Sequence, residues 1–291
     1  TLNLVGGRDL TTAQRSAAYF TMSRHYCGSL RTGYRPTSEY MKGQLSLGSA
    51  VAISGAAASP NMGSKTPSAA LAMLMALLNV RLGFWAPTPN QARWQSPRPR
   101  LWPFYLLREF LSQTNDLSLY CYLTDGGHFD NTGLYALVQR GCRHIVFVDC
   151  GADPAPCFSD LGDAIRRCRI DFGTEIDLQV GNFRPEERQD GTATHFVVGS
   201  IMYSRRHALE LGWGDKPDQA DRTGTIVWIK PSLLRGDSAE VRQYGLENMV
   251  FPQQSTADQW FDEAQFESYR RLGEISAREA LANKEVKSIF A

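Results

Sequence analysis

An α/β fold with a mainly parallel central sheet is predicted by two features of the chain: apolar runs of strand length, and helical patterns between them that glycines close. Tyr120 to Leu123 leads directly into Thr124-Asp125-Gly126-Gly127-His128-Phe129-Asp130-Asn131. His144-Ile-Val-Phe-Val-Asp149 is a continuous β-branched run of the kind found in strands buried on both faces. Between the two, Thr132 to Arg140 reads as a helix capped by Asn131-Thr132 and stopped by Gly141. The unit is therefore β-α-β. Asp125 then stands at the carboxyl end of its strand, where open α/β sheets bind ligands. Gly126 and Gly127 are expected to allow a tight backbone path with positive φ. The structural alternative is an acid that merely caps the helix or closes a turn.

The other elements follow in order. Thr1 to Val5 reads as a strand and Thr11 to Tyr19 as a helix, followed by an irregular Gly/Tyr/Arg-rich stretch to residue 45. Ala69 to Leu78 is an apolar helix, read as buried in preference to lying on a membrane surface; it is half the roughly 20 residues a span requires. Residues 86–103 carry five prolines among Arg, Gln and Trp, which predicts a surface excursion or lid, since proline neither continues a helix nor donates to a ladder. Phe158 to Arg169 places Leu161, Ala164, Ile165 and Cys168 on one helical face. Ile176 to Val180, His195 to Tyr203 and Thr223 to Ile229 read as an antiparallel addition. Ser255 to Ala282 reads as a helix burying Trp260, Phe261, Ala264, Phe266, Tyr269, Leu272 and Ile275. The predicted organisation is an α/β core over residues 1–180 and a C-terminal strand-and-helix addition over 181–291.

Composition narrows the function. The 291 residues carry a formal charge of +1 with acids and bases interspersed, so no electrostatic footprint for nucleic acid is present. Six cysteines without a CxxC pair point to free thiols in a reducing compartment. Neither a signal peptide nor a transmembrane span is visible, which predicts a cytoplasmic protein or one peripheral to a membrane. No metal-ligand spacing and no GxGxxG after a strand are found, so no metal and no cofactor are expected.

A second chemical candidate is Ser54, within Gly48-Ser-Ala-Val-Ala-Ile-Ser54-Gly55-Ala-Ala-Ala-Ser-Pro60. A nucleophile elbow needs small residues around its serine, because the strand-to-helix turn is strained and the next backbone crowds it. Ile53-Ser54-Gly55-Ala56 meets that need in part, with Ala52 and Ala56 where GxSxG has glycines. A tightly packed Ala/Ser/Gly helix ended by Pro60 is the structural alternative.

Taken together, Asp125-Gly126-Gly127, Asn131 and the strand Ile145 to Asp149 resemble the patatin-like phospholipase family. Ala52-Ile-Ser-Gly-Ala-Ala-Ala-Ser-Pro-Asn-Met62 and Phe251-Pro-Gln-Gln-Ser-Thr-Ala-Asp-Gln-Trp-Phe-Asp-Glu-Ala-Gln-Phe-Glu-Ser-Tyr269 are similar to strings in a bacterial branch of it. The resemblance implies a three-layer sandwich and a Ser-Asp dyad hydrolysing acyl lipids or esters through an acyl-enzyme. It implies Ser54 as nucleophile, Asp125 as base, and Gly55, Gly126, Gly127, His128 and Asn131 as oxyanion or pocket groups. Acyl-lipid substrates and peripheral membrane contact go with it. An aspartate of ordinary pKa about 3.9 is a weak base, so apolar neighbours such as Tyr122 and Phe129 would have to raise it. A rival arrangement makes His128 the base and Asp130 its orienter.

Two departures set up an alternative. The family's GGGxRG loop has only Gly6-Gly7-Arg8 as its counterpart, and residues 54–60 also resemble a non-catalytic Ala/Ser/Pro segment of such chains. The serine and oxyanion loop then belong upstream of Thr1. The chain would in that case bind lipid or complete an active site whose nucleophile lies elsewhere.

Overall fold

A computed structural model describes residues 1–7, 15–62, 66–78, 80–183, 194–255, 258 and 260–290. Residues 11–14 of the predicted Thr11 to Tyr19 helix lie outside the described residues, and Ala17–Ala18 is a strand. The protein is mixed α/β, and its chain divides into two units, Thr1–Asn131 and Thr132–Ala291.

In the first unit, strands β1 (Leu2–Asn3), β2 (Ala17–Ala18), β3 (Thr21–Met22), β4 (Tyr26–Ser29) and β5 (Gly33–Pro36) precede helices α1 (Leu47–Ser54) and α2 (Ala69–Leu77). Strand β6 (Phe84–Pro87), helix α3 (Trp102–Phe110) and strand β7 (Tyr120–Leu123) complete it. One sheet has the order β2-β1-β7-β6, every pair antiparallel; β3-β4-β5 form a second antiparallel sheet.

All four residues of β7 are buried. Cys121 and Leu123 pack with Leu2, Leu4, Ala86 and Ile53 of α1, whereas Tyr120 and Tyr122 pack with Trp85 and Tyr105 of α3. Burial on both faces thus arises from a helix on each side of a small antiparallel sheet. Pro87 is tolerated because β6 is an edge strand.

The turn Tyr40–Gly43 holds Met41 (φ 53°) and Lys42 (φ 59°) in the left-handed region, which costs each about 1–2 kcal/mol. Burial of Met41 beside Tyr40 and Cys27, and its N–H bond to the Trp94 carbonyl at 3.3 Å, offset that cost. The proline-rich excursion is tied down rather than loose. Tyr40 Oη donates to Pro87 O at 2.5 Å, Arg35 Nε to Pro89 O at 2.8 Å, and Tyr120 Oη to Arg98 O at 2.8 Å. The apolar helix α2 buries Ala72 but exposes Leu71, Met73 and Leu74, correcting the expectation that it is a buried helix.

The second unit runs α4 (Leu134–Gln139), β8 (His144–Val148), α5 (Ser159–Phe172), β9 (Glu175–Asp177), β10 (Phe196–Met202), α6 (Arg205–Glu210), β11 (Thr223–Ile229), α7 (Ala239–Glu247), α8 (Glu263–Ala282) and α9 (Lys284–Ile289). Its sheet has the order β8-β11-β10-β9. Strands β9, β10 and β11 pair antiparallel, as predicted, and β8 pairs parallel with β11.

Three expectations are corrected here. The predicted β-α-β does not form within one sheet, because β7 and β8 belong to different sheets; β8·β11 is the one parallel pair among the described strands. No mainly parallel central sheet is therefore seen among them. Second, β8 is an edge strand that buries Ile145 and Phe147 and exposes His144, Val146 and Val148. β-Branched residues suit any half-buried pleated surface, so their run length did not report two covered faces. Third, α8 buries Gln265, Ser268, Leu272, Ser276 and Ala280, while Trp260, Phe261, Ala264 and Phe266 are exposed. Small side chains let the helix pack closely. Helix α4 starts two residues later than predicted, at Leu134, and ends at Gly141 (φ 70°) as expected.

His195 joins β10 to α8. Its Nδ1 contacts Glu279, its Nε2 lies 3.2 Å from Asp237 Oδ1, and Asp237 accepts the Leu234 N–H at 2.6 Å. Burial alone would lower the ring's pKa, but the hydrogen bonds and charges of Asp237 and Glu279 outweigh it and move it above 6.5. A raised folded pKa means that this stabilisation is full below 6.5 and is lost as pH rises through the folded value. Denaturant unfolding across that range should therefore show wild-type stability falling with pH, and a flatter profile for His195→Gln. Equal slopes would exclude the ion pair as the cause.

Candidate functional site

Helix α1 and the loop after β7 meet at a cavity of about 290 Å³ in the first unit. Phe20, Met22, Val51 and Leu123 give it apolar walls, and Ser54, Thr124 and Gly126 supply polar groups. Thr124 was not singled out in the sequence. The signal was its place between a buried strand and an acid.

Asp125 ends the β7 segment and caps the 3-10 turn Gly126–His128. Its Oδ1 accepts the Gly127 N–H at 2.6 Å, a local side-chain bond of the kind aspartate makes at helix starts. Its own N–H donates to Ala56 O at 3.3 Å, which holds the loop against the residues leaving α1. Asp125 is half-buried, and its neighbours Thr124 and Gly126, not Asp125 itself, form the cavity wall.

The two glycines serve different ends. A Cβ on Gly127 would fall 2.8 Å from Asn131 Oδ1 and 3.1 Å from Asp125 Oδ1, so a side chain there would push the Asn131 amide aside. A Cβ on Gly126 would meet Ser54 Oγ at an ordinary 3.6 Å. Neither residue has positive φ, which corrects the sequence reading: close approach, not backbone handedness, favours the second glycine. As the first residue of its turn, Gly126 has no acceptor for its N–H within the turn.

Ser54 and the Asp-Gly-Gly loop thus converge, but the expected elbow is absent. Ser54 is the last residue of α1, a helix capped at its start by Ser46 Oγ accepting the Ser49 N–H at 3.0 Å. A helix C-terminus carries partial negative charge, the wrong sign for a developing oxyanion. The Gly55 N–H, expected as an oxyanion donor, is spent on Val51 O at 2.9 Å. Ala52, Ser54 and Gly55 are exposed, and Ile53 is the residue that α1 buries.

His128 is buried, with Nε2 donating to Ala57 O at 3.2 Å and Nδ1 accepting from Thr124 Oγ1 at 2.9 Å. A ring committed on both sides is a strut between the loop and residue 57, so the His128-Asp130 arrangement is not supported. Asn131 is exposed beside Gly127. Phe129 is buried, and Tyr122 belongs to a separate network on the other face of β7, its hydroxyl pKa pushed well up by burial.

Among the described residues, no group of three or more His, Cys, Asp or Glu is placed to hold a metal ion, and no helix is long and apolar enough to cross a membrane. No family model, no curated protein and no solved structure matches this chain.

Proposed function

We propose that this chain carries the general base of a patatin-like acyl-ester hydrolase, Asp125, acting on a hydroxyl presented beside the Gly126 loop. The observation that carries the proposal is a carboxylate fixed by the Gly127 N–H at the end of a buried strand, next to a cavity whose walls suit an acyl chain. A serine hydroxyl is a weak nucleophile until such a base takes its proton, a contribution of roughly 100- to 10,000-fold. The three-layer sandwich belongs to the same proposal. Its support is the Asp-Gly-Gly and Ile-Ser-Gly-Ala-Ala-Ala-Ser-Pro-Asn-Met strings, not the sheets described above.

Two readings of the nucleophile each have an observation behind them. Proximity of Ser54 Oγ to Gly126 favours Ser54. Its place at a helix C-terminus, with the Gly55 amide already bonded, favours a hydroxyl from another segment, with this chain completing the site. The second weighs more, because an oxyanion needs free donors and positive potential at the moment it forms. Fluorophosphonate labelling with peptide mapping decides between them. The expected result is no adduct on Ser54, and wild-type ester turnover in Ser54→Ala. An adduct on Ser54 that disappears in Ser54→Ala transfers the nucleophile to it and overturns the reading adopted.

A further inference from the structure

We propose a second binding site in the first unit, an anionic phospholipid headgroup site formed by Lys42, Arg93 and Arg100, flanked by side chains that enter the lipid surface. The three cations line one shallow cavity of about 270 Å³ whose walls include no acidic residue. Among the described residues they make no ion pair, unlike Arg81 with Glu109 or Arg31 with Asp116 in the same unit. Unpaired guanidinium and ammonium groups sharing a cavity repel one another, and a phosphate relieves that repulsion with bidentate hydrogen bonds.

The site is built, not a chance of flexible side chains. Lys42 is presented from the left-handed turn that the Trp94 carbonyl anchors, and Arg35 stacks on the Trp94 ring at 4.8 Å. The bond from Tyr120 Oη to Arg98 O fixes the segment that leads to Arg100. Directly after Arg100 come Leu101, Trp102 and Phe104, exposed by 72%, 60% and 54%. Helix α2, which packs against α3, exposes Leu71 and Leu74 as well. So many large apolar groups left in water on one unit mark an interaction surface. Basic residues next to Trp and Phe are the pairing that an anionic membrane interface takes, charge to headgroup and ring to the acyl boundary. A nucleic acid would supply phosphates but no apolar phase for Leu101 and Phe104. The inference goes beyond the hydrolase proposal and does not require it.

Co-sedimentation of the purified protein with phosphatidylcholine vesicles, with and without phosphatidylglycerol, tests it. Binding should require phosphatidylglycerol and weaken with added salt. Each of Lys42→Gln, Arg93→Gln and Arg100→Gln should weaken it about fivefold, and the triple variant about a hundredfold. Tryptophan emission should shift to the blue on vesicles, and Trp102→Phe should lose most of that shift while still binding. Equal binding to both vesicle types, wild-type binding by the triple variant with unchanged circular dichroism, tighter binding of a single-stranded oligonucleotide, or binding of inorganic phosphate without any vesicle binding would each overturn the proposal. Turnover of a water-soluble ester is read separately. Loss of vesicle binding in the triple variant leaves the Asp125 proposal standing, and failure of the Asp125→Asn prediction leaves vesicle binding standing.

Discussion

Asp125→Asn is expected to lower kcat for acyl-ester hydrolysis roughly 100- to 10,000-fold in the active site that this chain completes, with KM nearly unchanged. The substitution is isosteric, and the amide oxygen of asparagine can still accept the Gly127 N–H that Asp125 Oδ1 accepts at 2.6 Å. The turn should hold. What disappears is the capacity to take a proton, which matters in the transition state and not in the ground-state complex. Thermal unfolding within a degree or two of wild type, together with the lost kcat, would separate a chemical role from a structural one. Retention of more than about a tenth of the rate would remove Asp125 from the mechanism. His128 supplies the control, because its ring is already held by Ala57 O and Thr124 Oγ1. Its loss should show first in stability, with kcat following only as far as the loop shifts.

The second large effect concerns stability. Glu109 is fully buried on α3, where its Oε1 accepts from Arg81 Nη1 at 2.8 Å and Trp85 Nε1 at 2.6 Å, and its Oε2 accepts from Tyr122 Oη at 3.1 Å. Tyr122 Oη in turn accepts from Ser59 Oγ at 2.6 Å, and the Glu109 carbonyl accepts from Asn61 Nδ2 at 3.0 Å. One residue, through its carboxylate and its backbone carbonyl, therefore ties β6, β7, α3 and residues 59–61 together. Glu109→Ala strands Trp85 and Tyr122 without this acceptor and removes the carboxylate that Arg81 pairs with, and the loss should be about 3–5 kcal/mol by denaturant unfolding. A loss below about 1 kcal/mol would show that water replaces the carboxylate.

The same residue sets a pH dependence. Burial raises the Glu109 pKa above 4.5, and Arg81, Trp85 and Tyr122 only partly oppose it. The folded protein thus keeps the proton over a range where the unfolded chain has released it. Stability is greatest below 4.5 on this account, and falls as pH rises from there through the folded pKa. Glu109→Gln, which cannot ionise, should flatten that part of the curve.

Much of the architecture was legible in the residue pattern. The strands Tyr120–Leu123, His144–Val148, Phe196–Met202 and Thr223–Ile229 and the helices Ala69–Leu77 and Ser159–Phe172 form where β-branched runs or helical spacing marked them. Glycine stops such as Gly141 and Gly173 (φ 61°) closed helices because left-handed geometry is local chemistry. Strand direction was not legible. A strand covered on both faces reads the same whether its neighbours run parallel or antiparallel, since burial selects side chains and direction is a matter of backbone partners. The phase of the C-terminal helix failed for a related reason: it packs through Ser268, Ser276 and Ala280, whose small size a hydrophobic pattern does not score.

At the candidate site the residue identities alone set the chemistry of the loop: an acid, two glycines and an amide at Asn131. The tertiary structure alone decided what surrounds that acid. It put Ser54 at the end of a helix instead of on an elbow, committed His128 to the Ala57 carbonyl, and drew Lys42 and Arg93 together with Arg100 across a long stretch of chain. Side-chain identity and backbone preference act over a few residues. Convergence of distant groups, and the electrostatic environment it creates, exist only once the chain has packed.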